Sequence, residues 1–128
     1  MKLLLDTHAF IWWTSAPEKL SERALLACQN RDNELVLSVA SVWEMQIKLQ
    51  LGKLKLKSAL DSLIEIQQRA NDLQILPVEL LHVLALSDLP HYHKDPFDRL
   101  LIAQAATEDA FLVSADPAFS RYSVELFW

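Results

Sequence analysis

Apolar residues arrive in two rhythms along this chain. Short unbroken runs, Leu3-Leu4-Leu5, Leu35-Val36-Leu37 and Phe111-Leu112-Val113, alternate with longer stretches in which apolar positions recur every three or four residues. The first rhythm belongs to strands buried on both faces, the second to helices with one apolar side. The pattern predicts strands at about 2–5, 34–38, 73–76, 111–114 and 123–127. It predicts helices at about 7–14, 18–30, 39–51, 58–71, 78–87 and 96–106, with a loop at 88–95. Pro17 lies near the start of the second helix, Gly52 can end the third, Pro77 stops a strand and Pro96 opens the last helix. Strands alternating with helices imply an α/β fold with three layers, α/β/α, around a mainly parallel sheet.

Length fits this picture. The 128 residues suit one domain, 1–128, with no repeat, low-complexity tract or linker to divide it. Apolar residues make up 52%, ample for one core with some left to face a partner. The single cysteine, Cys28, cannot form an intrachain disulfide and falls on an apolar helical face, where a buried thiol is the simple reading. The opening run Met1-Lys2-Leu3-Leu4-Leu5 is cut short by Asp6 and His8, unlike a signal peptide. No stretch approaches the roughly 20 apolar residues of a membrane span. The expectation is a cytoplasmic protein with no membrane attachment.

Charge and glycine content narrow the chemistry. The net charge of −5 comes from 17 acids against 12 lysines and arginines. That balance is unusual for a nucleic-acid binder. Yet Lys48, Lys53, Lys55 and Lys57 fall in a stretch with no acid between Glu44 and Asp61, either a solvated face or a local patch for a phosphate backbone. Gly52 is the only glycine, which excludes glycine-rich phosphate loops and dinucleotide fingerprints.

In parallel α/β sheets, sites gather at the carboxyl ends of the strands, so acids just after strands carry most weight. Asp6 follows the first strand and Asp116 follows the run Phe111 to Ala115. Each could equally cap the next helix or turn. Glu44 is harder to explain as structure, because it shares a helix face with Ala40 and Ile47 in an apolar stretch. A charge placed there must be paired, protonated or bound to a cation. Asp98 shares its face with Leu101, Ile102 and Ala105, while Asp95 before Pro96 reads as the helix cap, with a supporting role at most.

Four carboxylates gathered at one sheet edge would repel and raise each other's pKa values. A hard divalent cation such as Mg²⁺ relieves that conflict, and one ion or a pair about 4 Å apart suits phosphodiester hydrolysis. Zinc is not favoured, since neither a cysteine pair nor a His-Glu-x-x-His spacing occurs. His91-Tyr92-His93 reads as a loop or rim segment.

Taken in order, four blocks resemble a PIN-domain nuclease, and within that group the VapC-like toxins of type II toxin–antitoxin pairs. They are Leu3-Leu4-Leu5-Asp6-Thr7-His8, Ser38 through Glu44, Asp95 through Ala105, and Leu112 through Phe119. The resemblance spans essentially the whole chain. It implies that Asp6, Glu44, Asp98 and Asp116 take the family's metal-binding and catalytic acid positions, supported by Thr7, Ser114 and Asp95. It implies a Mg²⁺- or Mn²⁺-dependent endoribonuclease, a homodimer held inactive by a cognate antitoxin protein, with metal-activated water as nucleophile. Lys48, Lys53, Lys55 and Arg99 are the expected RNA contacts. Serine at 114 replaces the threonine of many relatives and keeps the hydroxyl.

Two rival readings stand beside it. A phosphatase of the haloacid-dehalogenase type needs a second acid two residues after Asp6, where His8 stands. A non-catalytic binding module on the same fold would not need all four acids. Adjacent Trp12 and Trp13 point about 100° apart on a helix, so one of them is expected to be solvent-exposed.

Overall fold

The computed structural model describes all residues, 1–128. Five parallel strands form one sheet in the order β3-β2-β1-β4-β5. They are β1 (Lys2–Leu5), β2 (Glu34–Ser38), β3 (Gln74–Leu76), β4 (Phe111–Val113) and β5 (Leu126–Phe127). Six helices surround it: α1 (Thr7–Ser15), α2 (Glu22–Gln29), α3 (Val39–Gln50), α4 (Leu60–Asn71), α5 (Leu80–Ala85) and α6 (Pro96–Thr107). The register pairs Leu3, Leu4 and Leu5 with Leu35, Val36 and Leu37 on one side and with Phe111, Leu112 and Val113 on the other.

The unbroken apolar runs have the expected cause. Leu3, Leu5, Leu35, Leu37 and Val113 pack with residues of α1, α2, α3 and α4 in one core. Leu4, Val36 and Leu112 point the other way and pack with Leu101, Ile102 and Ala105 of α6, and with Phe119 and Tyr122. Each strand therefore feeds both cores, and the sheet is the middle of three layers.

The differences from the sequence pattern are local. The helix expected at 18–30 is a 3-10 turn at Pro17–Lys19 followed by α2. Ser21 accepts a hydrogen bond from the Ala24 N–H at 3.0 Å, and this cap starts the helix late. Leu20 stays extended and is buried in the core. The helix expected at 78–87 is α5 with a 3-10 turn at Leu86–Asp88, opened where the Glu79 N–H donates to His82 Nδ1. A further 3-10 turn, Pro117–Arg121, was not expected, and the last strand shrinks to two residues.

Two features place the site. Chain continuity takes β1 to β2 and β3 on one side, and β4 and β5 then fill the other, so the order reverses beside β1. Such a reversal opens a crevice at the strands' carboxyl ends. At the far end of α3, Gly52 adopts φ 71° and a pair of bonds, Gly52 N–H to Leu49 O and Lys53 N–H to Lys48 O, closes the helix. Glycine takes this left-handed conformation without strain.

Candidate active site

All four acids singled out in the sequence line one cleft of about 130 Å³ at the carboxyl ends of the strands, with Thr7, His8, Lys48, Asp95 and Phe119. Asp6 follows β1 directly, and its backbone N–H donates to Val113 O of β4. Its Oδ1 accepts from the Ala9 N–H at 2.7 Å, capping α1. Asp116 likewise accepts from the Ala118 N–H at 2.9 Å through Oδ1 and caps the 3-10 turn. Cap and cleft residue are thus not alternatives here, because each role can use a different carboxylate oxygen.

Glu44 is only 8% exposed, on the face that α3 turns inward with Ala40. Its two oxygens are both engaged: the Thr7 hydroxyl donates to Oε1 at 2.7 Å, and Lys48 Nζ meets Oε2 at 3.0 Å. Asp98 stands in the first turn of α6, where Asp95 caps the helix by accepting from the N–H groups of Phe97 and Asp98. Leu101, Ile102 and Ala105 on its face are buried, which turns Asp98 toward the cleft.

The electrostatics register the convergence. Burial, and then the negative charges of Asp95, Glu44, Asp6 and Asp116, push the Asp98 carboxyl up to about 7. Burial also raises Asp6, against the opposing pull of hydrogen bonds from Ser114 and the Ala9 N–H and of the nearby His8. Ser114 is buried and its Oγ accepts from the Asp116 N–H at 3.1 Å, so it touches the surroundings of both aspartates.

In this arrangement no three His, Cys, Asp or Glu side chains are set around a common point to hold an ion. The donor set nonetheless fits a hard divalent cation: it is all oxygen, and the repulsion held at Asp98 is of the kind such a cation relieves.

Other expected contacts lie elsewhere. Lys53 and Lys55 are exposed in the segment after α3, outside the cleft lining. Arg99 is not brought to the acids; its guanidinium donates to Pro90 O at 2.7 Å and to Leu86 O, bracing the loop before α6. His93 bonds the Tyr122 hydroxyl through its backbone N–H, at 2.8 Å, and stacks on Phe119 at the cleft's edge. Trp12 and Trp13 are both half-buried, packed on the α1 core beside Trp128 and Phe10. The tryptophan left exposed, at 62%, is Trp43 of α3, edge-on to Phe97, a position the spacing of α1 could not reveal. Sequence reasoning also missed His8 and Phe119, although each lies within three residues of a site acid.

A PIN-domain family model matches residues 3–125. The chain belongs to the PIN-domain family. It is 30% identical over 115 residues to Ribonuclease VapC22 of Mycobacterium tuberculosis, covering 89% of this chain and 86% of that protein. Its fold is that of VapBC2 from Rickettsia felis, solved bound to a promoter DNA fragment, with a TM-score of 0.72, 20% identity and coverage of 99% and 98% of the two chains. DNA-bound VapBC from Salmonella typhimurium follows at a TM-score of 0.67 and 17% identity, covering 99% and 97%. FitAcB from Neisseria gonorrhoeae has a TM-score of 0.63 at 17% identity, covering 98% and 96%. The expected PIN-like α/β/α architecture is therefore the observed one. No helix of this PIN domain is long and apolar enough to cross a membrane.

Proposed function

We propose that this PIN-domain protein is a divalent-metal-dependent endoribonuclease, the VapC-like toxin of a type II toxin–antitoxin pair. The observation that carries the reading is the meeting of Asp6, Glu44, Asp98 and Asp116 in one cleft, with Asp98 pushed up to about 7 by burial and its acidic neighbours. Both cores share one sheet across 1–128, which supports a single nuclease domain. The cleft's volume of about 130 Å³ is below the ~300 Å³ and more of small-molecule pockets. It suits one phosphodiester of a longer chain rather than a whole small substrate. The PIN-domain match over residues 3–125, with His8 in place of a second acid, counts against the haloacid-dehalogenase reading.

Asp6, Glu44, Asp98 and Asp116 would hold Mg²⁺ or Mn²⁺. A bound divalent cation supplies positive charge against a phosphodiester and makes a water acidic enough to attack near neutral pH. The chain's own residues do the rest. Thr7 fixes the direction of Glu44, and Ser114 braces the approach of Asp6 and Asp116. Asp98, pushed up to about 7, keeps a proton on a fraction of molecules near neutral pH. It would have to give that proton up to act as a ligand, so metal occupancy would rise with pH. Lys53 and Lys55 offer charge to the RNA backbone beyond the cleft. The protein works in the cytoplasm, as a homodimer, and is held inactive by a cognate antitoxin protein.

The test is cleavage of structured and single-stranded RNAs by antitoxin-free protein with Mg²⁺ or Mn²⁺. Cleavage should stop on chelation and in folded Asp6→Asn and Asp98→Asn variants. RNA binding by wild type that is never followed by cleavage, with either Mg²⁺ or Mn²⁺ supplied, would favour the non-catalytic module instead.

A further inference from the structure

The cleft's charge is lopsided. Five acids line it, Asp6, Glu44, Asp95, Asp98 and Asp116, and Lys48 is the one lysine or arginine among them. Lys48 stands one turn after Glu44 on α3, and its ammonium lies 3.0 Å from Glu44 Oε2. The opposite oxygen is held by Thr7, which is buried in the first turn of α1. Glu44 thus sits between a fixed inner partner and an outer one, since the Lys48 side chain is 34% exposed against 10% for Glu44. A cation that approaches Glu44 meets the Lys48 ammonium as a like charge on the outward oxygen, whereas the Thr7 hydroxyl is a neutral donor and does not repel it. Thr7 is buried and stiff at its β-branched carbon, whereas lysine is a compact charge on a flexible stem that reaches solvent.

We propose that Lys48 is the counter-ion of Glu44 within the cleft: a divalent cation competes with it for Glu44, and the displaced ammonium positions the RNA phosphodiester at the cleft mouth. This rests on the nuclease reading above and deepens it. Lys48 meets the outward oxygen of Glu44 at 3.0 Å, so its positive charge opposes the loading of a cation there. Once released, it remains anchored on α3 at the same mouth, where an entering phosphate brings negative charge. One side chain therefore competes with the metal and cooperates with the substrate, and the two effects have opposite signs. The Lys53 N–H holds the Lys48 carbonyl at 2.8 Å, which keeps the Lys48 backbone within the last turns of α3.

The experiment compares wild type, Lys48→Met, which keeps an unbranched stem, and Lys48→Arg, which keeps the charge. Mn²⁺ binding to RNA-free protein is measured by calorimetry. The KM and kcat for a mixed-sequence single-stranded oligoribonucleotide are measured across a salt series. Lys48→Met should bind Mn²⁺ several-fold more tightly than wild type, yet show a KM raised about tenfold and a salt slope reduced by about one phosphate contact. Lys48→Arg should stay near wild type in KM and in slope. Mn²⁺ affinity that is unchanged or weaker in Lys48→Met, or an unchanged salt slope, overturns the proposal. If folded wild type binds no Mn²⁺ at all, the metal-site reading fails first and this inference falls with it.

Discussion

The Thr7 hydroxyl donates to Glu44 Oε1 across 2.7 Å, tying the first turn of α1 to the inward face of α3. Both residues are buried, so neither can exchange this partner freely for water. Hydrogen bonds to charged groups contribute about 1.5–3 kcal/mol, and the loss is felt in full when the charge stays buried. Thr7→Val should therefore lower stability by about 2 kcal/mol in urea denaturation and cut cleavage at least tenfold. Thr7→Ser keeps the hydroxyl and should retain most of both. Equal losses in the two variants would mean that the methyl group, not the bond, matters.

The site also makes stability depend on pH. Asp98 is pushed up to about 7 in the fold, from about 3.9 in an unfolded chain. Between those values the folded chain binds a proton that the unfolded chain has released, so stability falls as pH rises. Asp6 is shifted in the same direction by its burial. Glu108 is lowered, chiefly by its hydrogen bond with His82, so its contribution is present above its ordinary range and is lost only at more acid pH. In the presence of a chelator, the Tm should therefore drop from pH 5.5 to pH 8. Asp98→Asn should flatten that drop, raise the Tm at pH 8 and abolish cleavage. A Tm that climbs over this interval would contradict the crowding of acids.

Much of this was legible because burial leaves a periodic trace. Leu3, Leu4 and Leu5 announce a strand covered on both faces, and the strand in turn marks Asp6 as lying at a carboxyl end. Glu44 was legible through Ala40 on its face, since an acid among apolar residues needs a reason. Lateral contacts left no such trace. Nothing in the order of residues says that Arg99 bonds the carbonyls of Pro90 and Leu86 rather than facing the cleft. The tryptophan pair shows the same limit, because Trp128 at the far end of the chain comes to lie against Trp12.

His82 offers a stability test remote from the acids. It is fully buried; its Nδ1 accepts from the Glu79 N–H and its Nε2 lies 3.0 Å from Glu108 Oε2. Glu108 also pairs with Lys2 at 3.2 Å, so this one side chain links α5 to the end of α6 and the edge of β1. His82→Ala leaves a cavity and several unpaired groups, and should cost about 2–4 kcal/mol. At a temperature where the variant is folded, its kcat should match wild type, because His82 does not line the cleft. A large fall in kcat with little loss of stability would give the network a part in catalysis.

The last prediction separates lysines that meet RNA from an arginine that holds a loop. After α3 the chain alternates, with Lys53, Lys55 and Lys57 exposed while Leu54 and Leu56 pack against the core. The leucines anchor the segment and leave the ammonium groups free for a phosphate backbone. Arg99 keeps its charge but holds two carbonyls of the 86–95 loop. Lys53→Glu with Lys55→Glu should raise the KM for RNA and reduce the salt slope by about two contacts, with no change in Tm beyond a degree or so. Arg99→Ala should do the reverse: lower the Tm while leaving the salt slope unchanged, because no phosphate contact is lost. If Arg99→Ala flattens the salt dependence and the lysine pair does not, the RNA runs over the loop before α6 and not over the segment that follows α3.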